Sequence, residues 1–143
     1  MKGCNMNSNK KILILSLFVL FLSCACSQLG GNKFCLTDAK IVTDVDEKLM
    51  PVKVTDVFPK GIPKVFCWFK WQNAKANMAI TAKWHYLTDN IHILDYTFKI
   101  PRKDGSGGVS LAMPEGKALP SGAYRLDLAA EKHILKSLTF KVE

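Results

Sequence analysis

The chain has 143 residues, a formal net charge of +8 and a hydrophobic fraction of 48%. This hydrophobic fraction excludes an intrinsically disordered chain, and the length is enough for one modest core but not for two separate ones. Only one long apolar run occurs, at residues 12–23, which excludes a protein that crosses a membrane several times.

The N-terminal segment has the features of an export signal. Lys2, Lys10 and Lys11 precede the uncharged run ILILSLFVLFLS at residues 12–23. This run has the length of the apolar part of a signal peptide and is shorter than the roughly 20 residues of a membrane-spanning helix. We therefore expect residues 1–23 to be a signal peptide that is removed from the mature chain.

The sequence around Cys24 resembles the lipobox of bacterial lipoproteins. The motif Leu-Ser-Cys ends at Cys24 and is followed by Ala25 and Cys26. In that family the cysteine after a small residue is linked through a thioether to diacylglycerol, signal peptidase II cuts just before it, and the new N-terminus is usually acylated. The resemblance implies a covalent acyl-lipid anchor, with residues 24–35 as its tether, and no other cofactor.

Two cysteines compete for the lipid. Cys24 directly follows the apolar run, which favours it. Cleavage before Cys26 would instead remove Cys24 and leave Cys35 and Cys67 as an even pair. Ordinary secretion after cleavage behind Ala25, or an uncleaved anchor, stays open as an alternative.

The residue after the lipidated cysteine indicates the destination. In the lipoprotein family an aspartate there favours retention in the inner membrane of Gram-negative cells, whereas this chain has Ala25 or Ser27. The resemblance thus implies a lipid-anchored protein of the cell envelope. In a Gram-negative cell it would be placed in the outer membrane and face the periplasm or the surface.

From residue 36 to residue 143 the sequence predicts one all-β domain. Short runs with alternating or wholly apolar patterns are separated by Pro, Gly, Asn and Asp, at the spacing of about 8–12 residues that is typical of β-sandwiches. These runs predict eight strands, at residues 37–43, 51–57, 64–71, 77–87, 91–100, 107–113, 123–129 and 134–142. A lipocalin-like barrel is the competing all-β architecture.

Two aromatic residues refine the fold class. Trp84 lies at the centre of a mid-chain strand, and Tyr124 lies at the start of the penultimate strand. They resemble the core tryptophan and the tyrosine corner of immunoglobulin domains. The resemblance implies an antiparallel immunoglobulin-like sandwich of about seven or eight strands. A fold of this kind does not specify a function.

The cysteines and histidines of the domain suggest two weak sites. A disulfide between Cys35 and Cys67 would stabilise the domain by about 3–4 kcal/mol in the chain-entropy model; the alternative is a buried thiol at Cys67 and a free Cys35. If residues 87–90 form a loop, His85 and His92 lie opposite each other and share one face. Two imidazoles bind a transition metal weakly, and two solvated histidines are the favoured interpretation, so no metal site is predicted.

The run VFCWFKW at residues 65–71 is apolar on both faces. Phe66 and Trp68 share one face, and Trp71 lies on the other. If one face is exposed, Trp68 or Trp71 carries a platform on which sugar rings or a partner protein would stack. If a neighbouring segment covers that face, the run is a central strand buried on both sides, which is the favoured interpretation.

The sequence carries no motif for nucleotide binding or catalysis. Lysines are scattered rather than gathered in a stripe, which argues against nucleic acid as a partner. The run GSGG at residues 105–108 lacks the Gly-Lys-Ser ending of a phosphate loop, so we interpret it as a flexible turn. Asp95 lies inside a largely apolar strand, and local spacing places no second acid beside it.

These observations favour a non-catalytic, membrane-anchored envelope lipoprotein that acts as a protein-interaction module. The first alternative is a module that binds glycan or peptidoglycan through Trp68 and Trp71. The second is a small envelope hydrolase, whose catalytic pair the fold would have to assemble from distant positions.

Overall fold

Apolar alternation produces strands over most of the chain that the computed structural model describes, residues 33–143. Nine strands occur in this part of the chain, one more than predicted. They are β1 (Cys35–Val45), β2 (Pro51–Val54), β3 (Val57–Phe58), β4 (Lys64–Gln72), β5 (Ala79–Tyr86), β6 (Ile91–Lys99), β7 (Gly105–Ala112), β8 (Gly122–Ala130) and β9 (His133–Val142). A short 3-10 turn at Pro114–Gly116 stands between β7 and β8.

The strands form two sheets that pack through a shared core. The first sheet has the order β2-β1-β4-β7, and the second has the order β3-β9-β8-β5-β6. Neighbouring strands are antiparallel, except that β3 runs parallel to β9. Because the two sheets stay separate and neither closes on itself, the predicted sandwich is confirmed and the barrel alternative is wrong.

The predicted strand at residues 51–57 divides between the two sheets. β2 pairs with β1 in the first sheet, and β3 pairs with β9 in the second. Between them the Thr55 hydroxyl donates to the carbonyl oxygen of Val57 (2.8 Å) and accepts from its N–H (3.2 Å), which holds a local turn. The apolar alternation continues across this turn, so the pattern alone indicates one strand.

The glycine-rich run at residues 105–108, which we interpreted as a flexible turn, is the first half of β7. Gly105 pairs with Trp71 and Gly107 pairs with Phe69 on β4. A Cβ atom at Gly105 would lie 2.8 Å from the indole Cζ2 of Trp71. Because Gly105 has no side chain, the indole of Trp71 packs directly against its backbone. The run is part of a strand, so the turn interpretation is wrong.

The core lies between the sheets and is centred on aromatic side chains. Trp84, Tyr124 and Phe140 are at most 2% exposed. Tyr124 and Phe140 stack with ring centroids 4.9 Å apart, and Trp84 meets Phe140 edge-on at 6.3 Å. The Tyr124 hydroxyl donates to the carbonyl oxygen of Pro120 at 2.6 Å, which is the tyrosine corner that the sequence predicted.

The two ends of the sandwich carry different parts of the chain. At one end, here called the base, the Asn73 amide donates to the carbonyl oxygen of Lys33 at 3.4 Å, just before β1 begins. At the opposite end, here called the top, β4 begins at Lys64, β5 ends at Tyr86 and β9 ends at Val142. The described chain thus begins at the base and leaves the second sheet at the top.

The predicted signal peptide and the two candidate lipidation sites, Cys24 and Cys26, precede residue 33 and lie outside the described residues. Within the described residues, no helix is long and apolar enough to cross a membrane.

Candidate functional site

Trp68 and Trp71 do not form an exposed platform. Trp68 is 6% exposed and Trp71 is 4% exposed. The Trp68 indole N–H donates to the carbonyl oxygen of Leu49 at 2.7 Å, and the Trp71 N–H donates to that of Arg102 at 3.1 Å. The turn between β1 and β2 covers Trp68 on the outer face of the first sheet. The inner face of β4 is therefore buried, and the outer face is covered at Trp68 while Lys70 on that face is exposed. Both tryptophans are buried, so the platform alternative is wrong.

The two cysteines of the domain do not form the disulfide that was considered. Cys35 is exposed, Cys67 is buried, and both thiols are free. Cys35 pairs with Gln72, whereas Cys67 pairs with Ile41, so about 17 Å of strand separates them along the ladder. Burial raises the pKa of the Cys67 thiol to about 12, with a smaller opposing effect from a backbone hydrogen bond.

The two predicted histidines do lie opposite each other. His85 pairs with His92 across β5 and β6, and the ring centroids are 5.1 Å apart. The Nε2 atom of His92 lies 3.4 Å from an oxygen of Asp95, whose side chain is 45% exposed. Among residues 33–143, no group of three or more His, Cys, Asp or Glu side chains is arranged to hold a metal ion.

A buried carboxylate beside His85 was not foreseen. Asp127 on β8 is 3% exposed. Its two oxygens accept hydrogen bonds from the Arg125 Nε at 3.0 Å and the Ser137 hydroxyl at 2.6 Å, and the His85 Nε2 lies 3.5 Å away. The serine hydroxyl donates to the aspartate and not to the histidine, which differs from the Ser-His-Asp order of a hydrolase. The arrangement satisfies the buried Asp127 carboxylate with hydrogen bonds from neighbouring side chains.

The described residues enclose an apolar cleft at the top of the sandwich, here called the edge cleft. Its volume is about 320 Å³. It opens between β6, the edge strand of the second sheet, and β7, the edge strand of the first. Its lining comes from β5, β6, the end of β7, the loop before β8, and β8 itself: Tyr86, Ile91, His92, Ile93, Leu111, Met113, Leu119, Pro120 and Tyr124.

The cleft lies where the cover over β6 is incomplete. Towards the base, Phe98 on β6 packs against Phe69 on β4, with ring centroids 5.6 Å apart. Towards the top the apolar side chains of β6 find less cover: Ile91 is 49% exposed, Leu94 is 39% exposed and Tyr96 is 56% exposed. An exposed apolar strip therefore runs along β6 beside the cleft.

The polar groups of the cleft are mostly committed to the backbone. The hydroxyls of Tyr86 and Tyr124 donate to the carbonyl oxygens of Ser121 and Pro120, each at 2.6 Å. Burial, and secondarily the charge of Tyr86, raises the pKa of Tyr124 to about 12. His92 supplies the remaining polar side chain of the lining. The cleft therefore suits an apolar occupant.

Comparisons with known proteins agree on the fold. No protein-family model matches the chain, and no curated protein is significantly similar to it in sequence. An immunoglobulin-like protein from Pseudomonas aeruginosa superposes with a TM-score of 0.55, at 11% identity over 78% of this chain and 97% of that one. The C-terminal domain of Wzt gives a TM-score of 0.51, at 14% identity over 80% of this chain and 75% of that one.

A third structure matches through part of its length. The alkylpurine DNA glycosylase AlkC from Pseudomonas fluorescens superposes with a TM-score of 0.53 and 12% identity. The match covers 79% of this chain and 31% of that one. Likeness at such low identity shows the fold alone, so the class that fold and core define is an immunoglobulin-like β-sandwich domain.

Proposed function

We propose that this chain is a non-catalytic, lipid-anchored interaction module of the cell envelope, and that the edge cleft binds a partner protein. The observation that carries the proposal is the cleft itself, which is apolar and open to solvent. Open apolar surface of this kind is typical of a site for protein or ligand binding. The immunoglobulin-like fold fits such a role without specifying it.

The partner's chemistry follows from the walls of the cleft. A volume of about 320 Å³ is small for a ligand pocket and suits one or two large apolar side chains. Burying one such side chain contributes about 1.5–3 kcal/mol, and anchors of this kind carry much of the energy of an interface. We therefore propose an extended apolar segment of another envelope protein as the occupant.

The N-terminal sequence supplies the anchor of this proposal. The lipid would be carried by Cys24, or by Cys26 in the alternative cleavage. Each buried methylene contributes about 0.8 kcal/mol, so several acyl chains would hold the protein firmly on the membrane. Lys33 lies at the base and the edge cleft at the top, so the two are at opposite ends of the sandwich. In a Gram-negative cell the outer membrane is the proposed location.

A photocrosslinking amino acid in the full chain tests the binding site. We would place it at Ile91, on the rim of the cleft, and at Ile134 as the control. Both isoleucines are exposed, at 49% and 60%, but Ile134 lies on β9 near the base. We expect one protein adduct from position 91 in cells and none from position 134. Equal labelling at the two positions, or retention on the sacculus alone, would overturn the proposal.

Metabolic labelling tests the anchor separately. The double variant Cys24→Ala, Cys26→Ala should lose lipid labelling and accumulate as the uncleaved precursor. The single variants report which cysteine carries the lipid. If the double variant is still labelled, the anchor is wrong, whatever occupies the cleft.

A further inference from the structure

β6 is the last strand of the second sheet, and its outer edge is not paired by any of the described strands. On one side it pairs with β5, in regular register from Leu94 to Lys99, and the irregularity of the ladder lies before this segment. On the other side no strand among residues 33–143 pairs with it. A free edge of this length presents backbone N–H and C=O groups to another strand.

The side chains of this segment are self-complementary. Asp95, Thr97 and Lys99 alternate along β6 and pair on β5 with Lys83, Thr81 and Ala79, respectively. If two copies of β6 pair antiparallel about a two-fold axis at Thr97, Asp95 of each copy lies opposite Lys99 of the other. Because the two-fold axis repeats the contact, this one register gives two pairs of opposite charge.

Other registers lack this match. Residues opposite each other in an antiparallel pair share a face. The two-fold axis must therefore pass between the two copies of one residue, which then face each other. An axis at Asp95 places the two aspartates together, and an axis at Lys99 places the two lysines together. Axes at Tyr96 or Phe98 set one of the charges opposite Thr97. The charges therefore select the register at Thr97.

The opposite face of the segment is apolar in the same register. Tyr96 is 56% exposed, and its ring stacks at 6.0 Å on Phe98 of its own chain. Pairing about Thr97 places Tyr96 of each copy opposite Phe98 of the other, an aromatic cross-strand pair that covers the exposed ring. At the centre, the Thr97 hydroxyl is already held by the Thr81 hydroxyl at 2.9 Å.

We infer that two copies of this chain associate through their β6 edges to form one continuous ten-stranded sheet. The contact rests on residues 95–99, whereas the β6 lining of the edge cleft consists of residues 91–93. It also needs neither a lipid nor an envelope partner. Failure of the dimer therefore does not bear on the proposed function.

Disulfide trapping in the full chain tests the register. With Cys26→Ala and Cys35→Ala as the background, Thr97→Cys places two thiols at directly opposed positions, within the Cα separation of about 4.4–6.8 Å that a disulfide needs. Thr139→Cys on β9 is the matched control, because it is also an exposed strand threonine. We expect oxidation of membranes to give a covalent dimer from position 97 and not from position 139. Equal yields would overturn the proposal.

Charge exchange tests the same contact. We expect Asp95→Lys and Lys99→Asp each to lower the yield of the trapped dimer by about tenfold, because each sets like charges together. Co-expression of the two single variants restores both charge pairs in a mixed dimer, and the double variant restores them in a homodimer. Sedimentation of the same variants in detergent, without the added cysteine, should rank them in the same order of dimer content. A monomeric parent chain, or single variants that dimerise like the parent, would refute the contact.

Discussion

Gly122 at the start of β8 offers a strong test of the packing at the top of the sandwich. Its φ is +146°, a conformation that residues with a side chain rarely adopt. A Cβ atom there would lie 2.5 Å from the Thr88 hydroxyl oxygen and 2.6 Å from the Tyr86 ring. Gly122→Ala therefore combines backbone strain with a steric collision.

The magnitude can be worked from these contacts. Backbone strain costs about 1–2 kcal/mol. The collision displaces two side chains that make hydrogen bonds: Tyr86 donates to the carbonyl oxygen of Ser121 at 2.6 Å, and Thr88 accepts from the N–H of Ala123 at 2.9 Å. Each bond contributes about 1 kcal/mol. We expect the free energy of unfolding of Gly122→Ala to fall by about 3–4 kcal/mol, a large part of the total for such a domain.

Gly61→Ala is the matched control. Gly61 also has a positive φ, +94°, but no atom lies within 4 Å of the Cβ position. It should lose only the strain energy, about 1–2 kcal/mol. Urea unfolding of both variants, followed by tryptophan fluorescence, measures the difference at constant m-value. If Gly61→Ala costs as much as Gly122→Ala, the argument from Tyr86 and Thr88 is refuted.

Three further outcomes are expected. Gly105→Ala pushes a Cβ atom into the Trp71 indole and should lower the free energy of unfolding by about 1–3 kcal/mol with a shift in tryptophan emission; unchanged emission would contradict the contact. At pH 8, alkylation and peptide mapping should label Cys35 in the native chain and Cys67 only after unfolding, because burial raises the pKa of Cys67 to about 12. Burial likewise raises the pKa of Tyr124 from 10.0 to about 12. The neutral phenol therefore adds to the stability of the folded domain below pH 10, and this contribution is lost between pH 10 and 12. Across this range the melting temperature should fall less for Tyr124→Phe than for the parent chain.

The positions of the strands along the chain and the core residues were predictable from local pattern. Period-two alternation assigned Trp84, Tyr124 and Phe140 to the interior, where each is at most 2% exposed. The four-residue turn at 87–90 also set the register that brings His85 and His92 together. Both features depend on neighbours along one strand or one hairpin, which a sequence pattern records directly.

The burial of Trp68 depended on contacts between distant segments. An apolar row looks the same whether solvent or another segment covers it, and here the turn carrying Leu49 covers Trp68. The glycine run at residues 105–108 was misinterpreted for a related reason. Glycine in a strand often marks the close approach of another group, and that group, Trp71, lies far away in the sequence.

The edge cleft was beyond the reach of sequence patterns for a different reason. Alternation correctly pointed Tyr86 and Tyr124 inward, but a pattern shows where a side chain points and not whether the space before it is filled. The cleft arises because β6 and β7 are both edge strands on the same side of the sandwich. Sheet order is a property of long-range pairing, which the apolar periodicity of single strands does not encode.

The placement of the base and the top at opposite ends of the sandwich has a mechanical consequence. A partner that pulls on the top of a domain held through Lys33 draws β1 along its own axis, past β4. The hydrogen bonds of that ladder, from the pair at Cys35 to the pair at Val42, are then loaded together in shear. A domain loaded in this shear geometry resists tension along the strands more strongly than one whose hydrogen bonds open one after another from an end.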